Sequence, residues 1–329
     1  MEPVKDQSLP LSHNKPARMT SRGLYAAASY MASAVLLVIF NKAALSSYGF
    51  PNANVITFLQ LVCSCLILYA MRYWKLISFT EGELQSSSNN PATIVSLKTL
   101  AQTLPLGLAY LLYMIVTMES VRGVNVPMYT TLRRTTVAFT MILEYLLTGQ
   151  RHSRFVICSI GIIIGGAVIA GARDLAFDAS SYSVVFLANI TTAVYFTSIA
   201  RIGKSSGLNS FGLMWCNGII SGPILLIWSS IRGDITTTLN FPYLYDHGFQ
   251  AVLLLSCLLA FSINYYVFLN TTINSALTHT ICGNMKDLFL IGFGWLIFGG
   301  LPFDLLNVAG QSLGFVGSAL YAFCKLKGI

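Results

Sequence analysis

Ser275–Phe298 reads SALTHTICGNMKDLFLIGFGWLIF. The stretch is long enough to cross a bilayer, whose hydrocarbon core takes about 20 apolar residues of helix. Lys286 and Asp287 stand in its middle. A charged side chain at that depth costs at least roughly 2.5–3.5 kcal/mol. A chain keeps such a residue where it faces a watery cavity or a charged ligand. Neutralisation by Asp287 or by another helix is the alternative. Neighbouring residues on a helix point about 100° apart, so direct Lys286–Asp287 pairing is expected to be poor. Gly283 lies one turn before Lys286 and removes a side chain from the same face, which lets a ligand or a neighbouring helix approach.

The rest of the chain agrees with a membrane setting. It has 329 residues, 55% of them hydrophobic and 10% charged, with mean hydropathy +0.67. Soluble domains carry about 25% charged residues. Ten apolar spans are predicted at 23–46, 54–73, 99–120, 125–148, 155–172, 182–200, 210–231, 249–270, 275–298 and 302–324. Residues 1–22 read as a disordered cytosolic tail and 325–329 as a short second one. Met1–Ser21 has no apolar core and does not read as a signal peptide. No stretch is long enough for a separate soluble domain. Span 5 is rich in glycine (Gly161, Gly165, Gly166, Gly171), which suits close helix packing in lipid.

Lysine and arginine placement gives the orientation. One side carries Lys5, Lys15, Arg18 and Arg22, then Arg72, Lys75 and Lys98, then Arg151 and Arg154, Arg201 and Lys204, and Lys325 and Lys327. The other carries Arg122, Arg173 and Arg232. Both termini are therefore expected in the cytosol. The net charge of +8 is largely this asymmetry and calls for no nucleic-acid partner.

Four cations remain inside spans: Lys42, Arg133, Arg134 and Lys286. The acidic residues weighed against them are Glu119, Glu144 and Asp287, with Asp304 at the edge of the last span. Excess positive charge in a membrane interior points to an anionic ligand. Arginine offers a planar fork to phosphate oxygens and lysine a point charge. Lys42 sits near an interface, where snorkelling explains it equally well. Of the two adjacent arginines, one is expected to contact ligand and the other to pair with Glu144 or a backbone carbonyl. Tyr110 and Tyr113 on span 3, Asn217 on span 7 and Asn264 on span 8 suit a base and ribose, and equally suit packing or helix stapling. The candidate substrate-binding set is Lys286, Arg133, Arg134, Lys42, Gly283, Asn284, Asn217, Tyr110, Tyr113 and Asn264.

Enzyme signatures do not emerge. There is no metal-ligand spacing, P-loop, nucleophile elbow or pair of catalytic carboxylates, and neither a metal nor a cofactor is expected. The seven cysteines lie in or beside apolar spans and read as small apolar residues. His279 is the histidine within a span, and it looks isolated. Asn189 and Asn270 head N-x-T sequences placed in or at the edge of spans, where glycosylation is not expected.

The order of several motifs then resembles a known family. Asn41-Lys42 followed by YGFP (48–51), VPMYTTLRR (126–134) and Gly283-x-x-Lys286 are similar to nucleotide-sugar transporters. These form the solute carrier 35 family of the drug/metabolite transporter superfamily. GARDLAFDASSYSVVFLANITTAVY (171–195) resembles the UDP-sugar branch, and the whole looks most like plant carriers of UDP-N-acetylglucosamine and UDP-N-acetylgalactosamine. The resemblance implies an all-α polytopic membrane protein of ten transmembrane helices in two inverted five-helix repeats, about 23–172 and 182–324. It implies UDP-sugar entry to the Golgi or endoplasmic reticulum lumen in exchange for UMP, and it admits a homodimer. GDP-mannose carriers have FYNN in span 7 and GALNK in span 9. Here span 7 reads MWCN, ending at Asn217, and span 9 keeps Lys286, which counts against guanine recognition. Rival expectations are a sugar-phosphate translocator of the same superfamily, a membrane adaptor and a membrane glycosyltransferase. Lys325 and Lys327 are spaced like a dilysine retrieval signal close to the last span. Golgi is the expected location, with the endoplasmic reticulum second.

Overall fold

The computed structural model describes residues 18–80, 95–121, 124, 126–171, 178–298 and 305–328. The N-terminal tail before residue 18, the SSSNNP loop and 299–304 lie outside the described residues. The described elements are helices: α1 (Ser21–Lys42), α2 (Ala53–Tyr73), α3 (Leu97–Ser120), α4 (Val126–Arg133), α5 (Thr136–Thr148), α6 (Arg154–Gly171), α7 (Ala179–Ser205), α8 (Ser210–Ile231), α9 (Asp234–Leu239), α10 (His247–Ile273), α11 (Ala276–Phe298) and α12 (Leu305–Lys327). Seven of them are long and apolar enough to cross a membrane: α1, α2, α3, α6, α7, α8 and α10. The chain is thus an all-helical polytopic membrane protein.

Side chains with local acceptors set the helix starts. Thr20 caps α1 through the Gly23 N–H at 3.1 Å. Ser96 caps α3, Asp178 α7, Asn209 α8 and Asp246 α10 in the same way. Each cap satisfies one of the four N–H groups that a helix start leaves without a partner.

Three departures from the expected spans matter. Span 4 is not one helix. Arg134 N–H reaches the Thr131 carbonyl at 3.2 Å and Thr135 N–H the Leu132 carbonyl at 3.1 Å, a local tightening to three-residue turns. The hydroxyls of Thr135 and Thr136 bond the carbonyls of Leu132 and Arg133, at 2.8 and 2.6 Å. Threonine hydroxyls compete with the helical ladder in this way. Secondly, α1 ends in a π-helical turn, Ala43–Ser47. Thirdly, the loop after α8 contains α9.

The helices pack as neighbours in pairs, α1 on α10, α3 on α7, α5 on α7, α2 on α8 and α6 on α12. The α6–α12 contact is backbone to backbone. A Cβ added at Gly166 would lie 2.5 Å from the Gly310 carbonyl oxygen and 2.8 Å from the Gly314 nitrogen. Two tight clusters close the ends of the bundle. At the end bearing the chain termini, Met19 N–H bonds the Lys325 carbonyl at 3.1 Å. There Asn274 Nδ2 bonds the Gly23 carbonyl at 2.9 Å. Glu144 Oε1 accepts the Ala276 N–H at 3.0 Å, so a carboxylate on α5 caps α11. At the other end Phe50, Phe241 and Phe249 pack together, and Asn52 Nδ2 donates to the Asp234 carbonyl at 2.8 Å.

Candidate functional site

The interior of the bundle gathers charge and aromatic rings from five helices. Lys286 and Asp287 lie on α11 about 15 Å from its start at 1.5 Å per residue. Lys286 Nζ is 2.8 Å from Asp287 Oδ1, with side-chain exposures of 23% and 22%. The expectation that these neighbours pair poorly is therefore corrected. The cause is the four-carbon lysine stem, which folds back across the helix surface despite the angular offset. Gly283 faces Tyr30 of α1, since a Cβ on it would lie 3.6 Å from the Tyr30 hydroxyl.

The two adjacent arginines separate. Arg133 sits at the end of α4 and turns toward α7. Its Nη1 donates to Asn189 Oδ1 at 3.2 Å and to Thr192 Oγ1 at 2.8 Å. Both partners are neutral, and among the described residues no carboxylate is within salt-bridge distance of it. Arg134 is 3% exposed and faces α12. Its Nη1 donates to the Gln311 carbonyl at 2.9 Å, and its guanidinium lies 4.2 Å over the Phe315 ring. A Cβ at Gly314 would lie 2.6 Å from Arg134 Nη1. Arg134 therefore packs the α4–α5 break against α12, while Arg133 turns toward α7.

Aromatic rings pack between α1, α3, α7 and α11. Tyr113 and Tyr195 stack with centroids 5.4 Å apart and planes 6° apart, and Tyr110 leans on Tyr195 at 5.5 Å. His279, one turn before Gly283, is 4.3 Å from the Tyr30 ring and 4.4 Å from Phe196. Asn270 Nδ2 lies 3.2 Å from His279 Nδ1, so this histidine is not isolated as the sequence suggested.

The remaining candidates are more scattered. Lys42 is exposed at the end of α1. Its neighbour Asn41 is the one drawn inward, accepting from Gln60 Nε2 at 2.9 Å and Ser256 Oγ at 2.6 Å. Asn217 is buried on α8 with Oδ1 unpartnered, and Asn284 is buried on α11 with Nδ2 unpartnered. Asn264 is half-buried on α10, beside Tyr265, which stacks on Phe211 at 4.4 Å. Sequence reasoning missed Tyr30, Tyr195, Phe196 and Asn189. The N-x-T at Asn189 and the spacing of Tyr195 from Tyr110 carried no signal of convergence, because helix-to-helix register decides it. Among the described residues, no group of histidine, cysteine, aspartate and glutamate forms a metal site.

Chemically, the arrangement suits a multiply charged anion joined to a flat, partly polar ring system. Lys286 and Arg133 offer donors to the charge, and the tyrosines offer faces to the ring.

Known proteins resemble this chain along nearly its whole length. The model of the Triose-phosphate Transporter family matches residues 21–322. The chain is 66% identical to a UDP-N-acetylglucosamine transporter of Arabidopsis thaliana, over 95% of this chain and 91% of that protein. It is 32% identical to a UDP-sugar transporter of Caenorhabditis elegans, over 92% and 89% respectively. It is also 32% identical to a nucleotide sugar transporter of Homo sapiens, over 94% and 89%. One crystal structure superposes with TM-score 0.62 at 12% identity, covering 94% of this chain and 98% of that one, which is a likeness of fold.

Proposed function

Because this chain belongs to the triose-phosphate transporter family, we propose that it is a nucleotide-sugar antiporter that carries a UDP-sugar, UDP-N-acetylglucosamine foremost, in exchange for UMP. The observation that carries this reading is the 66% identity to a UDP-N-acetylglucosamine transporter along nearly the whole of both chains. The interior cations give it a physical basis. UDP-sugar and UMP each carry about two negative charges near neutral pH, because the second phosphate pKa of UMP sits near 6. Exchange of one for the other is then close to electroneutral.

In this reading the phosphates bind Lys286 and Arg133. The Lys286–Asp287 pair is 23% and 22% exposed, so Asp287 competes with ligand for the lysine. A phosphate takes the lysine from it by making charge-assisted hydrogen bonds to Nζ. Asn217 and Asn284 each keep an unpartnered polar atom, an acceptor and a donor respectively, of the kinds that a base edge with an N–H and carbonyls would use. Tyr113 and Tyr195 offer faces to the base or sugar.

The chain is read as ten spans in two inverted repeats, with α4 and α5 together making the fourth. The packing pairs support this. Exchanging the repeats turns the α1–α10 contact into the α7–α3 contact, and both are principal contacts. Both termini are cytosolic and the membrane is that of the Golgi, with the endoplasmic reticulum as the alternative. The bonds Asn274–Gly23 and Glu144–Ala276 and the Tyr30–His279–Phe196 packing then form the cytosolic closure. Ligand bound to Lys286 and Arg133 neutralises the cations and lets the halves rock past it.

A second reading, a sugar-phosphate carrier, is favoured by the name of the matching family. It is opposed by Asp287, where phosphate translocators have an arginine after the lysine. Purified protein in liposomes preloaded with UMP, GMP, CMP or triose phosphate separates the two. We expect uptake of UDP-N-acetylglucosamine from UMP-loaded vesicles and little from the others. Triose-phosphate exchange without UMP exchange overturns the reading.

A further inference from the structure

Asn189 is fully buried on α7. Its Oδ1 accepts from Arg133 Nη1 at 3.2 Å and shares the one Thr136 hydroxyl proton with the Arg133 carbonyl, at 2.9 and 2.6 Å. Its Nδ2 donates to the Leu132 carbonyl at 3.0 Å and to Thr135 Oγ1 at 3.0 Å. A carboxamide has two acceptor sites and two donors, so its capacity is filled. Arginine donates and never accepts, which fixes which amide atom faces it. Three of the four partners belong to the break between α4 and α5. The fourth is the guanidinium. Thr192, the next turn of α7, accepts from the same Nη1 at 2.8 Å.

We propose that Asn189, helped by Thr192, is a positioning residue for ligand binding: it clamps the α4–α5 break and aims Arg133 into the interior. The chemistry of the clamp is the reason. A carboxylate holding Arg133 would cancel its charge and compete with phosphate. An amide and a hydroxyl orient the guanidinium and leave the charge available, with Nη1 the nitrogen that is used. The break serves the same end. At the break the Leu132 carbonyl accepts from the Thr135 N–H and hydroxyl as well as from Asn189 Nδ2, and the Thr135 hydroxyl accepts from Asn189 in turn, so the three-residue turn and the clamp share the same groups.

The inference rests on the transport reading, and the test separates the two. Half-saturating UMP and maximal exchange rate per folded protein are measured in UMP-loaded liposomes for wild type, Asn189→Ala and Thr192→Val. Thr192→Val keeps side-chain shape and leaves every bond between Asn189 and the break. We expect both variants to raise half-saturating UMP about tenfold while the maximal rate stays within about threefold. In an Arg133→Ala background the two substitutions add no further loss, since residues acting through one partner are non-additive. Unchanged half-saturation in Thr192→Val, or a further loss from it on top of Arg133→Ala, overturns the inference. Should Asn189→Ala fail to fold, Thr192→Val decides alone. Wild type that exchanges no nucleotide removes the transport reading, and this inference falls with it.

Discussion

Arg133 and Arg134 are chemically identical and adjacent, and the fold gives them opposite work. Arg134 is held by the Gln311 carbonyl and the Phe315 ring. A desolvated cation–π contact is worth about 2 kcal/mol. Arg134→Met is therefore expected to lower stability by on the order of 2 kcal/mol while leaving the UMP affinity of the folded protein unchanged. A thermal melt beside a UMP titration checks it, and lost affinity with an unchanged melt would contradict it. Lys286 teaches a related lesson about reading charge. The sequence shows a cation at depth, and helical geometry argues against its neighbour as partner. The structure pairs them at 2.8 Å because a long lysine stem escapes the angular argument.

At the scale of the helix, legibility follows the physics of each signal. Apolar runs bounded by caps are local, so the predicted 54–73 and 210–231 fall on Ala53–Tyr73 and Ser210–Ile231. The break at 134–135 was not legible, since VPMYTTLRRTT is a hydrophobic-polar mixture that a continuous helix also tolerates. Only the three-residue bonds and the Asn189 clamp reveal it. Likewise the glycines of span 5 announced close packing, but not the partner. That partner is α12, where Gly310 and Gly314 meet Gly166. A side chain at Gly310 would run into the Gly166 carbonyl and the backbone of Ala170, and backbone cannot rotate away. Gly310→Val is expected to separate α6 from α12 and cut the yield of folded, monodisperse protein several-fold. Size-exclusion profiles of the detergent-solubilised variant check this, and a profile and melt like wild type would contradict it.

For the whole molecule, composition and the placement of lysine and arginine made the membrane class readable, and motif order pointed to the transporter family. The site was readable as an inventory of charges and only partly as an arrangement. Lys286 and Arg133 stand out because charge is rare in apolar spans, and Gly283 stands out by its place one turn before Lys286. Tyr30, Tyr195 and Phe196 do not, because aromatic residues are common there and only packing selects these. The resulting picture is a helical bundle tied together at both ends, with Lys286, Arg133 and a group of aromatic rings in its interior. The most direct test of their role is uptake of labelled UDP-N-acetylglucosamine into UMP-loaded liposomes by wild type and by Lys286→Ala, with folding checked by melting. Uptake by wild type, and its loss in a variant that still melts cooperatively, is the predicted result. Equal uptake by the two proteins would remove Lys286 from the binding of phosphate and contradict the central claim.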